Sequence, residues 1–224
     1  MTASKLARRR LLGRAGWLGL AALPWPVFAA ASRDPLIFTA YRNGSRLGFH
    51  RIDFVEDEGR LSVDIEIAFD VKLAFIPLYR YRHRNREIWE GSQLVSMSTE
   101  TDDNGTAFKV DVTRSSNRLL VQGADGRLEL PGETLTTSYW NEAAMASGEW
   151  LDTQAGRLVR SEVTKKPAEV VQVEDSKVEA TPYDLAGDIT CTLWYADRRW
   201  VKLRFVGEDG SVIDYTLETS QQNG

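Results

Sequence analysis

The sequence predicts an all-β fold: a single antiparallel, strongly curved sheet or β-barrel with one short helix, preceded by a cleavable signal peptide. From Leu36 onward, nearly every apolar stretch alternates with polar residues at period two, which is typical of strands with one buried face. Asn-Gly and Asp-Gly pairs separate many of these stretches and favour tight turns. The 42% hydrophobic and 27% charged content is that of a globular protein and excludes a polytopic membrane protein.

Residues 1–31 are predicted to be a signal peptide of the twin-arginine type, followed by one β-barrel-like domain over residues 32–224. The leader has five basic residues and no acidic one, then a weakly apolar run and a string of alanines, which are the three parts of an export signal. Its Arg-Arg-Arg-Leu-Leu stretch at residues 8–12 resembles the twin-arginine pattern. Cleavage is expected beside the small residues Ala29, Ala30 and Ala31.

Export implies a periplasmic or secreted location of the Gram-negative type. It also implies two partners, the twin-arginine export machinery and a signal peptidase. The alternative is an uncleaved anchor, but the apolar stretch is interrupted by Pro24 and Pro26 and is shorter than the roughly 20 residues that span a bilayer. No stable membrane anchor is therefore expected after cleavage.

The mature chain is predicted to be acidic. The full sequence has a net charge of -4, and removal of the leader leaves 23 Lys and Arg against 32 Asp and Glu, a net charge of -9. Binding to nucleic acid depends on a basic surface that releases counterions from phosphate. The charge therefore excludes a general nucleic-acid binder.

The first half of the mature chain reads as strands joined by tight turns. Residues 36–54 predict a hairpin around Asn43-Gly44. Residues 61–73 alternate without a break, and this length suggests a strand that curves around a barrel. Two further hairpins are predicted, with strands at residues 89–100 and 108–112 and at residues 119–121 and 127–130.

The second half adds more strands and the one short helix. Residues 157–164 are expected to pair with residues 169–173, and later strands are expected from residue 183 to residue 217. Residues 137–146 favour a helix of about two turns, with Ser138 as its N-cap. This helix is expected to cover one mouth of the β-structure.

Recognisable reaction chemistry is absent from the sequence. It has no G-x-S-x-G, H-E-x-x-H, P-loop or dinucleotide-binding pattern, and its only histidines are His50 and His83. Cys191, the only cysteine, alternates with threonines and is expected to lie buried in a strand, with a reactive thiol as the alternative. We expect no metal and no cofactor, and a non-enzymatic role is favoured over catalysis by scattered carboxylates with a histidine.

The most unusual local pattern gives the candidate ligand-binding residues. Four arginines occupy alternate positions just before a tryptophan, so in a strand their guanidinium groups project from one face. The functional interpretation is an anion-recognition strip, because guanidinium groups bind carboxylate and phosphate bidentately. The alternative is a solvated face whose arginines pair with nearby acids. The candidate residues are Arg80, Arg82, Arg84, Arg86 and Trp89.

Short motifs along most of the mature chain resemble an uncharacterised family of exported bacterial β-proteins, a domain of unknown function. These motifs are Asn43-Gly44-x-x-x-Gly48, Glu87-x-Trp89-x-Gly91-x-x-Leu94, Asp103-Asn104-Gly105, Trp140, Tyr183-x-Leu185-x-Gly187, Leu193-Trp194-Tyr195 and Asp209-Gly210. The resemblance implies one antiparallel curved sheet or barrel, broadly similar to the half-barrels of periplasmic lipoprotein and lipid carriers. It implies no catalytic residues.

Three functions are compatible with these observations. The favoured one is a periplasmic, non-catalytic protein that binds an apolar or amphipathic molecule, such as a lipid-like small molecule or a protein segment, inside the curved sheet. The second is a structural or interaction accessory of an envelope complex, with an envelope protein as partner. The third is a hydrolase or isomerase that uses scattered carboxylates.

Overall fold

The computed structural model describes residues 31–73, 76–173, 176–207 and 209–218. They form sixteen strands and one 3-10 turn, which confirms the all-β prediction. Residues 1–30, the greater part of the expected leader, lie outside this description. No helical segment in the described ranges has the length and hydrophobicity of a membrane span.

Strands β1 to β16 are Ala31–Arg42, Ser45–Asp57, Arg60–Leu73, Ile76–Glu90, Gln93–Asp103, Thr106–Ser115, Arg118–Gly123, Gly126–Pro131, Leu135–Thr136, Glu149–Leu151, Leu158–Lys165, Glu169–Val173, Ser176–Gly187, Cys191–Ala196, Arg199–Val206 and Val212–Glu218.

All these strands belong to one sheet, whose neighbours are antiparallel except for the parallel pair β9 and β10. The order is β8-β7-β6-β5-β4-β3-β2-β1-β16-β15-β14-β13-β11-β10-β9, and β12 pairs with β13 beside this path. The last strand therefore pairs with the first in the middle of the sheet. Because the path of described strands ends at β8 and β9 without closing, the molecule has an open antiparallel sheet and not a closed barrel.

The predicted tight turns explain the consecutive hairpins of the first half. Asn43 and Gly44 have φ values of 48° and 78°, and Asn104 and Gly105 have φ values of 50° and 94°. Positive φ at both central residues matches the twist of two antiparallel strands, and Asn and Gly tolerate this conformation better than other residues. The hairpins predicted around these two turns are confirmed.

Residues 135–157, here named the inner segment, lie against the concave face of the sheet. They comprise β9 and β10, the last two strands of the sheet order, together with the 3-10 turn Glu142–Ala146 and the loop after β10. Its backbone accepts hydrogen bonds from Thr99 of β5 at 2.8 Å and from Tyr195 of β14 at 2.7 Å. Since β5 and β14 stand on opposite sides of β1 in the sheet, the inner segment links the two halves of the sheet.

The predicted helix is much shorter in the structure than in the sequence analysis. Instead of a helix over residues 137–146, the chain forms only the 3-10 turn Glu142–Ala146, with Asn141 as N-cap. Tyr139 has φ of 61°, outside the right-handed helical region, so a helix cannot run through it. The hydroxyl of Ser138, the expected cap, is instead 2.7 Å from that of Thr136.

Two strand predictions were also wrong. Residues 89–100 do not form one strand, because β4 ends at Glu90 and the chain turns at Gly91, where φ is 58°. The strands at residues 157–164 and 169–173 do not pair with each other. Both pair with β13, at successive stretches of that twelve-residue strand, and Pro167 in the connection between them has no N–H for a ladder bond.

Candidate functional site

A cavity of about 290 Å³ lies between the concave face of the sheet and the inner segment. Its walls come from β2, β3 and β4 on one side and from β14, β15 and β16 on the other. The cavity is covered by residues 137–139 and 152–154 of the inner segment. Strands as far apart in the sheet as β4 and β14 line one cavity, so the sheet must curve strongly around it.

Five aromatic side chains contribute to the lining, beside two histidines and several aliphatic and polar residues. Trp200 and Tyr215 face it from β15 and β16, Tyr81 from β4 and Tyr139 from the inner segment. The ring centroids of Tyr139 and Trp200 are 5.9 Å apart, and those of Trp200 and Tyr215 are 6.2 Å apart. These separations lie within the range of favourable ring contacts. The cavity therefore has rigid, flat walls that suit another flat apolar molecule.

His50 of β2 enters this aromatic wall without a hydrogen-bond partner. Its side chain is buried, and neither Nδ1 nor Nε2 has a partner among the described residues. Its ring lies edge-on to Trp200 at 5.3 Å and to Tyr215 at 5.9 Å. Burial, with a smaller effect of His83, lowers the pKa of His50 to about 3. The imidazole is therefore neutral at physiological pH, with one donor and one acceptor nitrogen.

His83 of β4 lines the same cavity, two strands away from His50. Ile67 of β3 pairs with both histidines in the sheet register, so the three residues form a row across the concave face, and the Cα atoms of the histidines are about 10 Å apart. His83 Nδ1 lies 2.8 Å from the hydroxyl of Thr101. Burial lowers the pKa of His83 to about 4, so this ring is neutral as well.

Asn85 adds a second polar group without a full set of partners. Its Nδ2 donates to Glu87 Oε1 at 2.9 Å, whereas its Oδ1 is buried and has no partner in the described part of the chain. A carboxylate oxygen accepts and does not donate, so the amide must turn its nitrogen toward Glu87. The carbonyl oxygen of Asn85 is therefore an acceptor without a partner, in a side chain that lines the cavity.

Glu87 is a fully buried carboxylate behind Asn85. Its exposed fraction is 0%, and its Oε2 accepts from the indole nitrogens of Trp89 at 2.9 Å and Trp140 at 3.1 Å. Ser138 lies at the limit of hydrogen-bond distance, 3.5 Å away. These donors compensate the desolvation of the carboxylate and connect β4 to the inner segment. Glu87 thereby fixes the orientation of the Asn85 amide and the position of the inner segment that covers the cavity.

The remaining ionisable groups of the cavity are held in their protonated, neutral forms or are already hydrogen-bonded. Burial raises the pKa of the Cys191 thiol to about 12 and raises the pKa values of Tyr81 and Tyr215 above their ordinary range. The carboxylate of Asp152 accepts from the backbone N–H groups of Gln154 and Ala155, so it closes a turn. Cys191 is buried, as the sequence predicted.

The structure places the four candidate arginines on the outer, convex face of β4. Each forms an ion pair with an acid of a neighbouring strand. The pairs are Arg80 with Asp102, Arg82 with Asp70, Arg84 with Glu66 and Arg86 with Asp64. Except for Arg80, they join β4 to β3, where directly opposite or diagonal positions bring the charges together.

Trp89, the fifth candidate, lies on the opposite face of the same strand. It is 1% exposed, and its ring packs edge-on against Trp140 at 5.5 Å. One compact ligand cannot contact Trp89 and the arginines together, because the sheet separates them. The structure instead brings together His50, His83 and Asn85, which sequence analysis did not select as a site. Their signal was the alternation along residues 79–89, which places Asn85 and His83 on one face.

No three His, Cys, Asp or Glu side chains in the described ranges cluster closely enough to hold a metal ion. None of the curated proteins matches the chain. A family profile does match, and it spans residues 38–218, from β1 to the end of β16. The chain therefore belongs to the family described as "Domain of unknown function (DUF6134)".

Proposed function

We propose that this protein is an exported, non-catalytic binding protein that holds an apolar or amphipathic small molecule on the concave face of its sheet. The observation that carries the proposal is the cavity of about 290 Å³ with its aromatic lining. Small-molecule sites in proteins are concave, mainly apolar, and supplied with a few polar groups that orient the ligand. The concave face of this sheet has each of these features.

The size of the cavity narrows the class of ligand. Pockets for small molecules typically have volumes of about 300–1,000 Å³, and this cavity lies at the lower end of that range. A compact molecule with one or two rings fits such a volume. A lipid with two long acyl chains would have to extend beyond it, so a compact ligand matches the cavity better.

The protonation states favour binding over catalysis. A general base works best when its pKa is near the working pH, but the pKa values of His50 and His83 are lowered to about 3 and about 4. A thiol with a pKa raised to about 12 has almost no thiolate at neutral pH, and the thiolate is the nucleophile. The polar groups of this cavity are thus suited to hydrogen bonding and not to proton transfer.

Native mass spectrometry of protein purified from its own host without detergent tests this proposal. We expect a compact molecule to remain bound to the wild type and to be released on denaturation. Ile67→Trp, which adds bulk between the two histidines, should lose it. Val55→Trp adds the same bulk at a position that is 44% exposed and should retain it.

An unoccupied wild type that instead captures a stable envelope protein would contradict the proposal and favour the interaction module. Equal retention of the molecule by both tryptophan variants would place its site elsewhere on the protein.

Export is the second part of the proposal, and it rests on the leader sequence. We expect fractionation of the native host to find the protein in the periplasm, with its N-terminus beside residues 29–32. Changing both Arg8 and Arg9 to Lys should leave the uncleaved precursor in the cytoplasm, since the twin arginines are the export signal. Arg14→Lys is the matched control, and a periplasmic double variant would contradict this route.

A further inference from the structure

Three of the four buried side-chain atoms that lack a hydrogen-bond partner in the described residues belong to His50 and Asn85, which line one cavity. The fourth is Nε of Arg199. Buried polar atoms without partners are costly, and here they belong to two residues of one cavity lining. Sites where a fold tolerates such atoms are candidates for ligand recognition.

The two residues offer a defined set of donors and acceptors. A neutral imidazole has one N–H donor and one acceptor nitrogen, and the orientation of Asn85 leaves its carbonyl oxygen as an acceptor. His50 and Asn85 lie on adjacent rows of the concave face, since Ile67 pairs with His50 and Ile65 pairs with Asn85. Both side chains line the same cavity, so a ligand that occupies it lies beside both.

We infer that the cavity recognises a neutral, flat molecule that carries both a hydrogen-bond donor and an acceptor, as in phenols and cyclic amides, through His50 and Asn85. This inference rests on the proposed function and specifies its ligand. The ligand's donor meets the Asn85 carbonyl oxygen or the acceptor nitrogen of His50, and its acceptor meets the His50 N–H. Its ring packs against the sides of Trp200, Tyr139 and Tyr215 that line the cavity.

Charged ligands are disfavoured by the same groups. An anion would meet the negative end of the Asn85 carbonyl dipole, with the Glu87 carboxylate directly behind the amide. Among the residues that the structure describes, no lysine or arginine lines the cavity, although the outer face carries several arginines. A cation would meet the Asp152 carboxylate, but both oxygens of that group already accept backbone N–H groups. Beside it are aromatic rings and two neutral imidazoles, where a charge is costly. The arrangement therefore selects uncharged ligands.

A purely apolar ligand is also disfavoured, because it would leave His50 and Asn85 without partners. A site built to hydrogen-bond a polar group rejects the analogue that lacks it more strongly than an apolar pocket rejects an added methylene. Phenol and toluene have nearly the same shape and differ in the hydroxyl, so they form a matched pair of probes.

Calorimetric or ligand-observed NMR titrations of the full mature protein with phenol, the cyclic amide 2-pyridone, toluene and benzoate test the inference. We expect phenol and 2-pyridone to bind the wild type at least tenfold more tightly than toluene, and benzoate more weakly than phenol. In His50→Phe, which keeps a ring but removes both nitrogens, the preference for phenol over toluene should fall below threefold. Arg84→Gln, on the outer face of β4, should keep the preference of the wild type.

Three other outcomes would overturn the inference, and they differ in what they imply for the proposed function. Equal binding of phenol and toluene to the wild type would overturn the inference while leaving a binding cavity in place. Preferred binding of benzoate, strengthening as the pH falls, would show an anion site with a protonated histidine and would also overturn it. If none of the four probes binds, and native mass spectrometry finds no bound molecule, the inference and the proposed function both fail.

Discussion

The polar side chains on the two faces of β4 differ in their exposure to water and in the partners available to them. On the convex face, Arg84 and Arg86 are exposed and lie about 3.5 Å from acids of β3. On the concave face, His83, Asn85 and Glu87 are 3%, 3% and 0% exposed. The outer groups exchange protein partners with water at little cost, whereas each inner group must find a partner within the fold or in a ligand.

Polarity alone therefore does not locate a ligand-binding site in this sheet. The arginines are the more conspicuous pattern in the sequence, and the structure gives each of them an acidic neighbour. The inner polar residues are fewer, and three of the four unpartnered buried side-chain atoms in the described residues belong to His50 and Asn85 on this inner face. A change to a polar group in an apolar environment should therefore have a larger effect on stability and binding than a change on the convex face.

Loss of the Glu87 carboxylate should have the largest effect on stability. Glu87→Ala leaves the indole N–H groups of Trp89 and Trp140 and the amide of Asn85 without an acceptor, and each unsatisfied buried group costs about 1–3 kcal/mol. We expect the free energy of unfolding in urea to fall by about 3–5 kcal/mol. Glu90→Ala, in the same strand at an exposed position, is the matched control and should cost less than about 1 kcal/mol. Equal costs for the two variants would contradict the role of Glu87.

Acid should destabilise the fold through the two buried histidines. The unfolded imidazole has a pKa of 6.5, and the folded values are about 3 for His50 and about 4 for His83. Below pH 6.5 the unfolded state therefore binds more protons than the folded state, and the free energy of unfolding decreases as the pH is lowered. From pH 7 to pH 4.5, each histidine should remove about 2–3 kcal/mol from the free energy of unfolding.

The variant His50→Phe isolates this contribution. Its loss of stability between pH 7 and pH 4.5 should be about 2–3 kcal/mol smaller than that of the wild type, because the outer carboxylates contribute to both proteins alike. Urea unfolding at the two pH values measures the difference. Identical pH dependence in the variant and the wild type would show that His50 is not buried as a neutral ring.

The link between the inner segment and β4 should have an intermediate effect. Trp140→Phe keeps most of the ring contact with Phe54 and Trp89 but removes the N–H that donates to the buried Glu87. We expect a loss of about 1–2 kcal/mol. Trp194→Phe is the control, because its indole donates to the exposed Glu169 and water can replace that donor. A cost for Trp194→Phe as large as that for Trp140→Phe would remove the distinction between buried and exposed acceptors.

Single changes on the convex face should have the smallest effect. Arg84→Ala breaks an exposed ion pair with Glu66 and should change the free energy of unfolding by about 0–1 kcal/mol, less at high salt. The double variant Arg82→Ala, Arg84→Ala should alter binding of phenol and 2-pyridone less than twofold. Loss of an anionic ligand or an acidic partner from this variant, measured by pull-down from periplasmic extract, would establish the outer strip as a second site.

The sequence predicts the faces of this sheet better than the contents of its interior. Alternation along residues 61–73 and the Asn-Gly turns indicate β3 and the hairpins, because these signals are local. The cavity is formed by residues that are far apart in the sequence, such as His50 and Tyr215. It also depends on the curvature of seven adjacent strands. The burial of Glu87 depends on Trp140 of the inner segment, and no spacing in the sequence reveals that contact.

The central claim is that His50 lies neutral and unpartnered in a binding cavity, and nitrogen NMR of the two imidazoles tests it most directly. With only two histidines in the chain, His50→Phe assigns both spectra. We predict that both rings stay neutral from pH 5.5 to pH 8 and that phenol shifts the nitrogens of His50 more than those of His83, which contacts Thr101. A His50 that titrates near pH 6.5 and does not respond to phenol would contradict the account.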